Sequence, residues 1–145
     1  MRYAIYARSA TRDNHSIQKQ VKDIKNALKE NDAVYQIYKD NGVSGSTLNR
    51  PGMNRLFKAA EKKAFEGVFV TDFNRLSRSL KDYVILKDKL ISNGLKIMTL
   101  SGVLLDDTAS SRLVSTLVEG FSQFDHDLRS ERIKKGLRAR KLKKK

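Results

Sequence analysis

Apolar and polar positions alternate between two rhythms along the first hundred residues. Arg2–Tyr6, Val34–Tyr38, Gly67–Val70 and Leu95–Leu100 are short apolar runs rich in β-branched or aromatic residues, each near a Gly, Asn or Asp, and are read as strands. Helical spacing lies between them. Ser16–Lys29 sets Ile17, Val21, Ile24 and Leu28 on one stripe, with Asn14 or Ser16 as its cap. Pro51 opens a second helix, Pro51–Lys63, with Met53, Leu56, Phe57 and Ala60 inward. Ser79–Ser92 repeats the pattern through Tyr83, Leu86 and Leu90, and Asn93-Gly94 stops it. Four strands alternating with three helices predict an α/β fold whose core is a four-stranded parallel sheet flanked by helices.

The last third has a different pattern. From Ser110 to about Lys141 only Gly120 and Gly136 interrupt helix-forming residues, while Leu113, Leu117, Phe121, Phe124 and Leu128 recur every three or four positions. Such a helix is roughly 45 Å long at ~1.5 Å per residue, more than a small body can cover. Its apolar stripe is expected to meet the body at its start and a second chain further on; packing back in cis is the plainer alternative. The chain thus divides into a body, residues 1–109, and a long C-terminal helix, residues 110–145.

Charge sharpens this division. The net charge is +14, and residues 129–145 carry ten bases against Glu131 alone, leaving the body only mildly basic. A basic terminus reads as a solvated tail, as a membrane-surface arm or as a phosphate-contacting arm. The last fits best, because neutralised phosphates release condensed counterions and the tail's few apolar residues include no aromatic. Cysteine is absent, which removes disulfides, thiolate metal sites and cysteine nucleophiles together. No apolar run reaches membrane-spanning length and the first ten residues are too quickly polar for a secretory signal. The expectation is a cytoplasmic protein with an anionic partner.

Ligands of parallel α/β sheets gather at the carboxyl ends of the strands. There the sequence places Arg8, Ser9 and Ala10; Ser44 and Arg50 around Gly42-Val43-Ser44-Gly45; Asn74, Arg75 and Arg78; and the acids Asp106 and Asp107. Arginines from three loops, among hydroxyls and glycine amides, suit phosphate oxygens. Any one of them alone reads as a surface residue. Only two histidines exist, His15 and His126, the acids lack metal-ligand spacing, and there is neither a Walker loop nor GxGxxG. No metal and no cofactor are expected, which leaves a hydroxyl nucleophile with arginines stabilising a pentavalent phosphoryl transition state.

Tyr6-Ala7-Arg8, Ser16-Ile17 with Gln20, Gly42-Val43-Ser44-Gly45 with Arg50-Pro51, Arg75-Leu76-Ser77-Arg78-Ser79 and Ser130-Glu131-Arg132 stand in one order. Together they resemble the catalytic (resolvase) domain of serine site-specific recombinases, nearest to the large serine integrases, over essentially the whole chain. The resemblance implies a parallel sheet core and a long helix that dimerises and then runs onto double-stranded DNA. It implies cleavage through a 5′-phosphoserine link and strand exchange in a tetramer without metal or cofactor. It also implies a further C-terminal DNA-binding domain in the parent protein. By position, Arg8, Arg75 and Arg78 match the family's phosphate-binding arginines, and Arg50 another active-site arginine. Ser44 matches a supporting serine and Gln20 a polar residue of the first helix. Arg132, with Lys134, Lys135, Arg138 and Arg140 after it, matches the DNA-facing end of the long helix.

Three positions depart from that pattern. The nucleophilic serine should lie two residues beyond Arg8, where this chain has Ala10; its serine is Ser9. The aspartate before the Arg-Leu-Ser-Arg block is Asn74, and His126 stands where the long helix usually has an arginine. Adjacent residues of an extended segment point to opposite faces, so Ser9 cannot take over without rearranging its loop. A chain disarmed by an introduced serine-to-alanine change, a naturally non-cutting DNA-docking and dimerisation module, and a shifted Ser9 all remain open at this stage.

Overall fold

A strand read as continuously apolar must be covered on both sides, and β1 (Arg2–Ser9) meets that requirement by lying inside the sheet, paired with β2 (Ala33–Asn41) on one edge and β3 (Gly67–Val70) on the other. The computed structural model describes residues 1–144 of the chain. Alternate β1 side chains enter two cores. Tyr3 and Ile5 pack with Ile24 of α1 (Asn14–Ala27) and Phe69, whereas Ala4 and Tyr6 pack with Met53 and Leu56 of α2 (Pro51–Glu61) and Leu86 of α3 (Leu80–Ser92). Helices therefore cover both faces, as the alternation of elements requires.

The strand order is β2-β1-β3-β4-β5, with β4 at Lys96–Thr99 and β5 at Leu104–Leu105. The first four strands are parallel as expected, but the sheet has a fifth, antiparallel member, pairing Ile97 with Leu105 and Met98 with Leu104. Two residues are too few to show a period, and their pairing follows from the turn before them. Gly102, at φ 85°, donates to Thr99 O at 3.0 Å, and Thr99 N donates to Val103 O at 3.0 Å, reversing the chain. β1 also runs past Tyr6 to Ser9, because Arg8 and Ser9 stay in register with Asp40 and Asn41. The first helix is capped by neither Asn14 nor Ser16: Asp13 accepts from the Ser16 amide at 3.0 Å. Pro51 does occupy the first turn of α2.

The long helix α4 spans Ala109–Lys143, opened by Thr108, which accepts from Ser111 N at 3.2 Å. Its attachment to the body corrects the expectation that the apolar stripe docks at its start. The two buried residues of α4 are Ser111 and Ser115, while Leu113, Leu117, Phe121 and Phe124 are 53–71% exposed. A polar clamp holds it instead: Lys87 Nζ of α3 donates to Glu119 Oε1 at 2.6 Å and to Ser115 Oγ at 2.8 Å. The apolar stripe is thus bare from Leu113 to Phe124, and only Leu128 at its end is partly covered. No helix among the described residues is long and apolar enough to cross a membrane.

Candidate functional site

The carboxyl ends of β1, β2 and β3 bring together the segments that carry the predicted arginines, but at different depths. Arg8, 1% exposed, sends its guanidinium inward: Nε donates to Arg75 O at 3.1 Å, Nη1 to Val43 O at 3.1 Å and Nη2 to Asn74 O at 2.9 Å. One side chain thereby ties the loop after β2 to the 3-10 turn Phe73–Arg75 after β3. Gln20 fixes Arg8 from the other side, its Oε1 accepting from Arg8 N at 3.2 Å and its Nε2 donating to Arg8 O at 3.0 Å. Gln20 is buried, so it acts on the main chain of Arg8 and not on anything outside.

Arg50 is buried completely, and every part of its guanidinium is engaged. Nε donates to Thr47 O at 2.8 Å, Nη1 to Tyr6 Oη and Arg75 O at 3.3 Å each, and Nη2 to Gly45 O at 3.1 Å. The position that sequence reading placed among site arginines is therefore a strut beneath the surface. Sequence reading missed the carboxylate it leans towards through Tyr6. Tyr6 Oη donates to Asp40 Oδ2 at 2.9 Å, and Asp40 also accepts the α2 amides of Gly52 at 2.7 Å and Met53 at 3.0 Å. The only sequence signal was parity: Asp40 falls two residues after Tyr38, hence on the buried face of β2.

Arg75 is partly exposed, with Nη1 donating to Arg8 O at 3.2 Å and Nε 3.6 Å from the Asp72 carboxylate. Arg78 is exposed. Burial, and then the nearby Arg50 charge, lower the pKa of Arg8 from arginine's ordinary value, and Arg78 and Arg75 push it the same way. Clustered cations of this kind, partly withdrawn from water, form a region of positive potential that an anion relieves. Arg8 and Arg50 are thus spent on the interior, Arg75 commits Nη1 to Arg8 O and Nε to Thr71 Oγ1 at 3.4 Å, and Arg78 is the exposed member of the four.

Gly45 is the hinge of this packing. Its carbonyl accepts from Ser77 Oγ at 2.9 Å as well as from Arg50, and a Cβ there would stand 2.8 Å from Arg8 Nη2 and 3.1 Å from Arg78 Cγ. Gly45→Ala is expected to cost about 1–3 kcal/mol through overpacking, read as a lower midpoint in urea. A midpoint equal to the parent's refutes this account of the cluster.

The remaining predicted residues fall into place around the rim. Ala10 is the first residue past β1 and is exposed, and Asn74 is exposed beside Arg75. Ser9 is 7% exposed, and its Oγ donates to Thr11 O at 2.6 Å within its own loop. Ser44 Oγ lies 2.7 Å from Ser46 Oγ on the open side. Arg132, Lys134, Lys135, Arg138 and Arg140 are all exposed, on α4 beyond its buried residues. Among the described residues no three His, Asp or Glu side chains are grouped as metal ligands.

Comparison with known proteins gives a consistent picture. Residues 3–145 match the profile of the family described as Resolvase, N terminal domain. A resolvase of Clostridium perfringens (strain 13) is 30% identical over 139 residues, covering 94% of this chain and 70% of that protein. The N-terminal catalytic domain of TP901-1 integrase superposes with a TM-score of 0.74 at 32% identity, over 89% of this chain and 99% of that one. The C-terminal catalytic domain of ISC1926 TnpA, an IS607-like serine recombinase, gives 0.64 at 25% identity, over 88% and 85%.

Proposed function

The chain belongs to the resolvase N-terminal domain family, the catalytic domains of serine recombinases, and from that premise we propose that it grips a DNA phosphate at Arg75 and Arg78 without cutting the strand. The observation that carries this reading is the exposed Arg78 and partly exposed Arg75 beside buried Arg8, with an alanine at the position two beyond Arg8. The phosphate oxygens take hydrogen bonds from Arg75 and Arg78. Phosphoester formation then needs an oxygen that a methyl group lacks. Ser9 does not supply it: it ends β1 on the face opposite Arg8, and its hydroxyl is committed to Thr11 O.

The α/β body holds the phosphate; the long helix α4 supplies the rest. The bare stripe of Leu113, Leu117, Phe121 and Phe124 suits a second copy of the chain, first as a dimer and then in a tetramer on paired sites. Arg132, Lys134, Lys135, Arg138 and Arg140 then lie along the duplex. The second reading is a DNA-docking and dimerisation module that has no cutting role at all. Asn74 favours it, since a change aimed only at the nucleophile would leave an aspartate there.

Duplex titration across a salt series tests the binding. Two arginines of the body and five bases of α4 predict a fall in affinity on the order of 10³–10⁴ between ~50 and ~200 mM salt. Affinity that holds constant over that range rules the reading out. On a crossover site the chain is expected to leave no SDS-resistant protein–DNA band. A band that disappears on Ser9→Ala transfers the nucleophile to Ser9.

A further inference from the structure

Asn41 is the last residue of β2 and lies four past Ile37 on the same strand face, the one that meets Ile24 of α1, opposite the face of Asp40. Its side chain leaves the sheet. Oδ1 accepts from the main-chain amide of Asp13 at 2.9 Å, and Nδ2 donates to Asn14 Oδ1 at 2.7 Å. A main-chain amide can only donate, so the Asp13 contact fixes which way the Asn41 amide group faces. At the same corner Ser9 O accepts the amides of Gly42 at 2.8 Å and Val43 at 3.0 Å. Between Ser9 and Asp13 stand only Ala10, Thr11 and Arg12, all exposed. Two further ties steady them. Ser9 Oγ donates to Thr11 O at 2.6 Å, and Arg12 Cγ passes so close to Gly42 that a Cβ there would stand 2.8 Å from it. A three-residue loop tied at both ends to one strand corner keeps few backbone conformations.

We infer that Asn41 is a positioning residue: by holding the Asp13 amide it sets where residue 10 stands relative to the arginine cluster. The inference rests on the reading of position 10 as the place of the attacking group, and adds what aims it. Upstream, Gln20 holds the main chain of Arg8 through both its N and its O. Downstream, the one side chain that ties Asp13 back to the sheet is that of Asn41. Removing it frees the far end of the loop. The guanidiniums are untouched, since Arg8 and Arg50 hold the Arg75 carbonyl without it. Attack on a phosphate tolerates little error, and a misplacement of about 1 Å costs on the order of 10²-fold in rate. The loss therefore falls on the chemical step and spares binding.

The test has two arms. In the first, Asn41→Ala is compared with the parent by NMR-resolved amide exchange, without DNA. The Asp13 amide is expected to exchange roughly tenfold faster and the Ala10, Thr11 and Arg12 signals to move, while Phe69 and Ile97 in the central strands keep their protection. In the second, Asn41→Ala is added to Ala10→Ser and covalent attachment to a crossover duplex is timed. The rate at saturating DNA should fall about 10–100-fold, with the half-saturating DNA concentration held within about twofold. Asn41→Asp in the same background should recover most of the rate, because it keeps an oxygen for the Asp13 amide and Asn14 can turn its own amide to donate. Loop signals unmoved by Asn41→Ala overturn the inference and leave the reading of position 10 standing. An attachment rate that holds, or that falls only in step with DNA affinity, overturns it too and makes Asn41 a brace for the start of α1. A loosened loop beside an Ala10→Ser variant that never attaches, with or without Asn74→Asp, removes the reading of position 10 and leaves Asn41 nothing to aim.

Discussion

On the proposed reading, Ala10→Ser is expected to give a chain that becomes covalently attached to a DNA crossover site, where the parent leaves no such link. The added hydroxyl oxygen bonds to phosphorus, the bond to the 3′ oxygen breaks, and that oxygen leaves with a proton as a free 3′-hydroxyl. Arg8 and Arg50 fix the main chain of Arg75, Gln20 fixes that of Arg8, and Arg78 stands exposed three residues on, so the attacking oxygen is the first group to restore. Donors set in advance around developing phosphoryl charge are each worth on the order of 10²–10³ in rate, so restoring the attacking atom should expose most of that acceleration at once. The readout is an SDS-resistant band on a crossover site, absent from the parent and clear in the variant. Continued silence with DNA binding intact, in Ala10→Ser and in the double variant with Asn74→Asp, decides for the docking module. Adding Asn74→Asp then distinguishes a lost carboxylate from a lost reaction.

Asp40→Ala is expected to be the most damaging single change to stability. It removes the acceptor of Gly52 N, Met53 N and the Tyr6 hydroxyl, three donors that are shut away from water and have no other partner at hand. It also takes the negative charge from the end of the Tyr6–Arg50 link, leaving Arg50 more isolated in the interior. Breaking a buried charged network in this way costs about 3–5 kcal/mol, a large share of the ~5–15 kcal/mol that holds a domain folded. Denaturant unfolding reads it directly. Asp40→Asn keeps one acceptor oxygen and should lose less. A loss under about 1 kcal/mol for the alanine variant would show that these bonds do not anchor α2. The site should suffer with the fold, since Arg50 pins Gly45 and Arg75.

The relation between the two variants shows where sequence reading reached and where it stopped. Ala10 is legible because the argument is one of chemical identity: a side chain has an oxygen or it does not. The strand-end location of Arg8, Arg75 and Arg78 was legible too, from the alternation of strands and helices. Asp40 was not singled out, because a lone acid at the end of an apolar run is more often a solvated strand end. What buries it is the arrival of α2, whose amides at Gly52 and Met53 need an acceptor there. Arg50 was read as facing the phosphate for the same reason, since its residue type says nothing of depth.

What the amino-acid order settled by itself was local. Stripes at helical spacing placed all four helices, Pro51 set the start of α2, and runs of buried-strand character placed the four parallel strands within a few residues. These depend on neighbours three or four positions away, which a sequence displays openly. Tertiary structure decided the rest. In a sheet covered on both faces, parity assigns a residue to a face but not to water or interior, so only the carbonyls of Val43, Asn74 and Arg75 converging on Arg8 turned it inward. Likewise the stripe on α4 was visible as a pattern, but whether the body covered it depended on Ser111 and Ser115 taking that contact. Both outcomes rest on groups remote in the chain competing for one partner, a contest that spacing along the chain does not record.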